Sequence, residues 1–380
     1  MKIPFVFGKP ASDENFTGRS AEIQQILQNC LSNINSIIIS PGGWGKSSLL
    51  RKVALECMKS EQKIKFCFIS LKNIREEEDF YYKVAKELLG MASPEIEIIE
   101  GLARKYLGKL FFKIKLISGK NTNFSLLLDK DEMIKFPEEI FNLAERIANE
   151  NGLKIIVCID EFQNISGFVD TLAFQQKLRS NWQNHQNVVY CIYGSDIKTL
   201  SNIFQTPEMP FFGFGEIIRM EKLTNEEWIS FLTGRFLNTG KSIDKNSAEL
   251  IVRLAENHPH YVQVLGQQAW LRSPYICNEQ IIEEALENII LQNSLLYHNI
   301  TGKLSNTQLS FINALICGTE KFNSQKVLLK FKLGTSGNIT KIKKALIDKA
   351  ILDIQSEKIS FLDPFYKIWL TKYYFPDRIN

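Results

Sequence analysis

The run Ile37-Ile38-Ile39-Ser40-Pro41-Gly42-Gly43-Trp44-Gly45-Lys46-Ser47-Ser48 sets three glycines, a lysine and three hydroxyls directly after an apolar stretch. Without a Cβ, Gly42, Gly43 and Gly45 admit positive φ, and successive backbone N–H groups can then converge on one point, as phosphate oxygens require. Lys46 adds a mobile cation for β and γ phosphates, and the Ser47 hydroxyl suits a Mg²⁺ ion. A helix opening near Ser47 would turn its positive end to the same point. Gly42 to Ser48, with Trp44 between the glycines, form the expected cradle of a nucleoside triphosphate. The pattern G-x-x-x-x-G-K-[ST] is met at its phosphate-facing end but not at its first position, where Ser40 stands.

A second group lies far downstream, in Ile155-Ile156-Val157-Cys158-Ile159-Asp160-Glu161. Five consecutive apolar residues have no period of two, as in a central parallel strand covered on both faces. The C-terminal end of such a strand is where open α/β sheets place their chemistry. There Asp160 can hold Mg²⁺ and Glu161 can polarise a water for attack on a γ-phosphate. A polar strand end followed by a turn would read similarly, and the glycine-lysine-serine run upstream weighs against it. A third run, Val188 to Tyr193, ends at Gly194-Ser195, and Ser195 is placed to sense the γ-phosphate.

The elements that must position these groups alternate. After the first strand come an amphipathic helix (Leu49, Leu50, Val53, Ala54, Cys57), a strand from Ile64 to Ser70 and a helix around Phe80 to Leu89. The motif strands follow, and Glu216 to Met220 is a fifth strand, so parallel crossovers are expected. Upstream, Phe16, Gly18 and Arg19 precede a helix carrying Ile23, Ile26 and Leu27. They are candidates for closing over an adenine, although Phe16 could equally anchor that helix. Residues 90–136 interrupt the alternation. This stretch holds a basic run from Arg104 to Lys120 and a hairpin over 111–128 turning at Gly119-Lys120-Asn121, either a solvated face or a partner surface.

From Leu223 only helices follow. Thr224 with Glu227 and Asn246 with Glu249 have capping-box spacing, and His258-Pro259 breaks the series. Residues 303–380 read as three helices and a β-hairpin, a winged-helix layout. Its third helix buries Ile339, Ile342 and Leu346, leaving Lys341 and Lys344 outward with Lys343 flanking. This is a modest signal for DNA, and docking to protein is the competing account.

Composition bounds the rest. A net charge of +4 with 44% hydrophobic residues describes an ordinary globular chain, too weakly basic to announce nucleic acid by itself. Seven unpaired, scattered cysteines point to reduced thiols and a cytoplasmic location, and no metal-spaced Cys/His cluster occurs. No apolar run is long enough to span a bilayer, and the start lacks a leader pattern.

The order of parts resembles the AAA+/STAND side of P-loop ATPases, and within it the archaeal-type ATPase family. The motifs carrying it are Phe-x-Gly-Arg, Gly-Gly-Trp-Gly-Lys-Ser, Ile-Asp-Glu-Phe-Gln, Gly-Ser, His-Pro and a terminal winged helix. The resemblance implies an α/β P-loop NTPase of AAA+/ASCE type with a parallel sheet in the order 5-1-4-3-2, a helical lid and MgATP or ADP as ligand. It implies domains over 1–222 (insertion 90–136), 223–302 and 303–380. It casts Lys46, Ser47, Asp160 and Glu161 in the roles above and Ser195 as the first sensor, with His258 and Pro259 letting the lid read the β-phosphate. Phe214 stands where relatives carry arginine, so a trans-acting arginine finger, worth ~10³ to 10⁵ in rate, is unassigned and slow turnover is expected. The expected function is a nucleotide-controlled switch with a protein partner and nucleotide-dependent self-association. The rivals are an ATP-regulated DNA-binding protein resembling AAA+ origin initiators, and an ATP-binding scaffold without turnover.

Overall fold

The computed structural model describes residues 3–60, 63–93, 95–108, 112–116, 124–355 and 358–376. They fall into two compact units, residues 10–221 and residues 1–9 with 222–380.

The first unit is built on a five-stranded sheet. Its strands are β1 (Ser36–Ile39), β2 (Ile64–Ser70), β5 (Lys154–Asp160), β6 (Val188–Gly194) and β7 (Glu216–Arg219); β3 (Phe112–Leu116) and β4 (Phe124–Leu128) form a separate antiparallel hairpin. The order across the sheet is β2-β5-β6-β1-β7, with every pairing parallel. The central strands are the most apolar. β1 and β6 are buried throughout and β5 along its five middle residues, while the edge strands β2 and β7 expose part of their length.

Alternation along β5 divides two cores. Ile155, Val157 and Ile159 join Phe80, Phe174, Leu178 and Phe204 on one face. Ile156 and Cys158 face the helices Ser20–Leu31 and Lys46–Ser60, against Ile26, Leu50 and Val53 on the other. Two side chains pin the N-terminal edge of the sheet. The Lys154 ammonium donates to the carbonyls of Cys30 and Leu31 (3.2 and 2.8 Å), the negative end of the helix that feeds β1. Asn35 accepts from Tyr190 N (2.9 Å) and donates to Phe214 O (3.0 Å), tying β6 to the loop before β7.

The β3–β4 hairpin matches the expected insertion, whereas its turn at Gly119-Lys120-Asn121 and the side chains of 109–128 lie outside the described residues.

The second unit is helical apart from a two-residue parallel pair, β8 (Ser242–Ile243) with β9 (Ile276–Cys277), and the hairpin β10 (Leu352–Gln355) with β11 (Lys358–Phe361). Thr224 with Glu227 and Ser305 with Gln308 form complete capping boxes. The expected box at Asn246 does not form. The helix there is Lys245–Leu254, two residues longer at its start, and Asp244 caps it by accepting from Ser247 N at 2.8 Å. Helices Asn306–Ile316, Gln325–Lys330 and Ser336–Asp348 precede the β10–β11 hairpin, giving a C-terminal region that resembles a winged-helix module.

The first nine residues group with this unit rather than with the sheet domain in which the sequence reading placed them. Phe5 is 2% exposed and packs edge-on against Phe231 and Phe236. Arg235 Nε donates to Pro4 O at 2.7 Å, and Val6 N donates to Gln263 Oε1 at 3.2 Å.

Candidate functional site

Register decides which residues meet. Ile39 at the end of β1 pairs with Gly194 at the end of β6, and Ser70 of β2 pairs with Asp160 of β5. The glycine turn, the acidic pair and Gly194-Ser195 therefore leave the same C-terminal edge, where a parallel sheet with flanking helices opens its crevice.

In the turn, Gly43 and Gly45 take φ of 76° and 91°, conformations closed to most side chains. Trp44 between them is 3% exposed and sinks into the core beneath the helix Lys46–Ser60. Its side chain thus anchors the loop, and only its backbone is available to a ligand. The helix starts at Lys46, so the N–H groups of its first turn have no intrahelical acceptor.

Lys46 is 7% exposed, and its ammonium donates to Ser40 O (2.7 Å), Pro41 O (2.8 Å) and Ser40 Oγ (3.3 Å). Burial pulls its pKa down to about 8 despite the opposing pull of Asp160 and Glu161. A cation desolvated to this degree and held by neutral oxygens fits an incoming polyanion, which would restore its charge. Ser47 Oγ donates to Asp160 Oδ2 at 3.5 Å, and the Tyr193 hydroxyl is hydrogen-bonded with Ser47. Burial, then the neighbouring Glu161, raises the Asp160 carboxyl above its usual range, with the Glu161 N–H, Lys46 and Ser47 opposing. A hydroxyl and a carboxylate on hard oxygens are the donor set Mg²⁺ accepts alongside phosphates and water. Ser47 and Asp160 would hold it.

Glu161 leaves the strand in the left-handed region (φ 56°, ψ 41°). Ser195 Oγ donates to its carboxylate, 2.9 Å from Oε2 and 3.1 Å from Oε1, and the Gln163 side-chain amide donates to Oε2. Lys46, Ser47, Asp160, Glu161 and Ser195 thus come together in one unit.

The remaining candidates sit elsewhere. The Ser48 hydroxyl accepts from Ala11 N at 2.9 Å, tying the lead-in to the cradle helix. Gly18 and Arg19 take consecutive left-handed conformations, and Phe16 packs half-buried on the core beneath the cradle helix. Arg19 Nη1 donates to Glu22 Oε1 (2.8 Å) and to Glu221 O. These bonds fasten the first helix to the segment after β7. His258 and Pro259 begin the helix Pro259–Arg272 and belong to the second unit. Phe214 is 6% exposed in an aromatic cluster with Trp182, Tyr190 and Phe211, so it serves the core.

Four groups were given no role from sequence: the Ser40 and Pro41 carbonyls, Tyr193, and Gln163, which entered only as the last residue of the Ile-Asp-Glu-Phe-Gln motif. A backbone carbonyl leaves no residue signature. Tyr193 read as the last apolar residue of a strand, although a polar hydroxyl beside Gly-Ser was a usable signal.

Sheet, cradle and acidic edge together define a parallel α/β P-loop NTPase of AAA+-like architecture, with a helical lid and a C-terminal region resembling a winged helix. The family described as an ATPase domain predominantly from Archaea matches residues 16–265, well over half of the sequence, and the chain belongs to it. Among solved structures it resembles the Walker-type ATPase PABY2304 of Pyrococcus abyssi, at 16% identity and a TM-score of 0.65, covering 97% of this chain and 99% of that one. It also resembles the ORC2 protein of Aeropyrum pernix in ADPNP-ADP complexes, at 14% identity and a TM-score of 0.55, covering 93% of each. At these identities the likeness concerns the fold. No curated protein matches. Among the described residues no helix is long and apolar enough to cross a membrane.

Proposed function

We propose that this protein binds MgATP at the β1–β5–β6 edge and hydrolyses it slowly, acting as a nucleotide-controlled switch coupled to its C-terminal winged-helix-like region. The observation that carries this reading is the convergence of a buried, carbonyl-held Lys46, the Ser47–Asp160 pair and the Ser195-bound Glu161. Lys46 and the first-turn N–H groups bind phosphate oxygens. Ser47 and Asp160 hold the metal, which when bound neutralises developing charge on the phosphates. Glu161 takes the proton of the attacking water, and Ser195 holds that carboxylate. Family membership supports the chemistry, and the Pyrococcus relative's designation as a Walker-type ATPase agrees with it.

A division of the helical unit into 223–302 and 303–380, a role for His258 and Pro259 in sensing nucleotide, closure of Phe16, Gly18 and Arg19 over adenine, a protein partner, nucleotide-dependent self-association and a cytoplasmic location belong to the same proposal. Glu161→Gln is expected to keep ATP affinity within about threefold while kcat falls at least ~100-fold, the usual worth of a general base. Lys46→Ala is expected to abolish binding. Turnover unchanged in Glu161→Gln overturns the assignment. Binding without turnover in the parent protein favours an inert scaffold.

A second reading, ATP-regulated duplex DNA binding, is favoured by one observation: Lys341 and Lys344 are both exposed on the helix Ser336–Asp348.

A further inference from the structure

We infer that Gln163 is a positioning residue for Glu161, holding its carboxylate at the sheet edge in the orientation that hydrolysis uses; this rests on the hydrolytic reading above. Glu161 has left the strand in a conformation that L-residues seldom adopt. The short 3₁₀ helix Phe162–Gly167 begins at once, and Phe162 and Ile165, both fully buried, bolt it to the core. Gln163, between them, folds its amide back so that Nε2 donates to Glu161 Oε2, while Ser195 Oγ lies within hydrogen-bond distance of both carboxylate oxygens. Two donors on a carboxylate with about four acceptor sites leave room for a water. The contact therefore orients the group without consuming its capacity as a base.

The other end of the amide shows that this placement is specific. Gln163 Oε1 is buried and has no hydrogen-bond partner among the described residues. It lies against Gly194, where an added Cβ would come within 1.9 Å of Oε1 and 3.0 Å of Cδ. Gly194 thus provides the slot and Ser195, next in chain, the second donor. Reversing the amide would set its oxygen against the carboxylate, so charge fixes the orientation shown. An accepting atom without a partner is disfavoured, and the amide keeps this position because its nitrogen is on Glu161.

The test compares kcat and KM for MgATP in the parent protein, Gln163→Met, Gln163→Ala, Gly194→Ala and the Gln163→Ala/Gly194→Ala pair, with ATP affinity measured alongside. Gln163→Met keeps the length of the side chain without the donor. We expect its kcat to fall ~10- to 100-fold with KM within about twofold, the scale on which misplacing a catalytic group acts. Gly194→Ala, which touches no ligand in this account, should lower kcat by a similar factor in the parent and by less than about twofold once residue 163 is alanine. Unchanged kcat in Gln163→Met overturns the inference. So does an equal loss from Gly194→Ala in both backgrounds, since crowding of Leu200 would then be the cause. Should Gly194→Ala fail to fold, Gln163→Met decides alone. A parent protein that binds ATP without turning it over removes the hydrolytic reading and this inference together, whereas normal parent turnover with unaffected variants removes this inference only.

Discussion

At the scale of single residues, Lys46 carries the most testable physics. Its pKa of about 8 lies well below the ~10.4 of an exposed lysine because burial penalises the ammonium. Between these values the unfolded chain binds the proton and the folded, ligand-free protein does not. Stability of the free protein should therefore rise as pH climbs from about 8 towards ~10.4. Nucleotide binding runs the other way. A triphosphate needs the charged form, so ATP affinity should weaken above pH ~8, approaching tenfold per unit, and binding there should take up close to one proton. Titration calorimetry at pH 7 and pH 9, in two buffers of different ionisation enthalpy, checks both statements. Equal affinities without proton uptake would mean that Lys46 stays charged in the free protein and that burial does not govern it.

At the scale of elements, the helix Ser336–Asp348 repeats its pattern faithfully. Ile339, Ile342 and Leu346 are 2%, 7% and 0% exposed, since spacings of three and four put them on one face. Lys341 and Lys344 fall opposite, and Lys343 lies with its ammonium 5.3 Å from the Phe322 ring centre. Two free lysines on one helix face can neutralise two phosphates. Under the DNA reading, removing both should reduce the slope of log K against log salt by about 1.8 for a duplex, with affinity falling evenly across sequences. Duplex binding with an unchanged slope, or no salt-dependent binding at all, would leave this helix to a protein partner.

For the molecule as a whole, the unexpected feature is the chain start. Residues 1–9 are counted with the helices that begin at Lys222, and Phe5 fills a gap left by Gly266, where a Cβ would come within 3.1 Å of the ring. The chain thus passes between the two units twice, after Lys9 and after Glu221. Phe5→Ala should destabilise the helical unit by about 3–5 kcal/mol, as for other buried phenylalanines. Hydrogen exchange should then quicken in Asn225–Leu237 and Pro259–Arg272 while β5 and β6 keep their protection. Protection lost equally from the sheet would show that the segment does not belong to one unit.

What could be read directly from the residues was local. Glycine freedom, a cation and hydroxyl at fixed offsets, an unbroken apolar run ending in two acids, and the capping box at Thr224 all act within a few residues, so order along the chain suffices to find them. The family likeness supplied the larger plan. Tertiary structure decided what depends on contacts distant in sequence. Parallel register brought Ile39, Asp160 and Gly194 to one edge. The slot above Gly194 turned Gln163 onto Glu161, although the sequence shows it only as the last residue of the Ile-Asp-Glu-Phe-Gln run, with no role attached. Phe5 found its partners more than two hundred positions away, where a lone aromatic in an irregular lead-in carries no periodicity to mark its destination. Side chains obey local rules until burial and cross-chain hydrogen bonds outweigh them, and in this protein that happens chiefly at the rim of the sheet, where segments far apart in sequence share one small space.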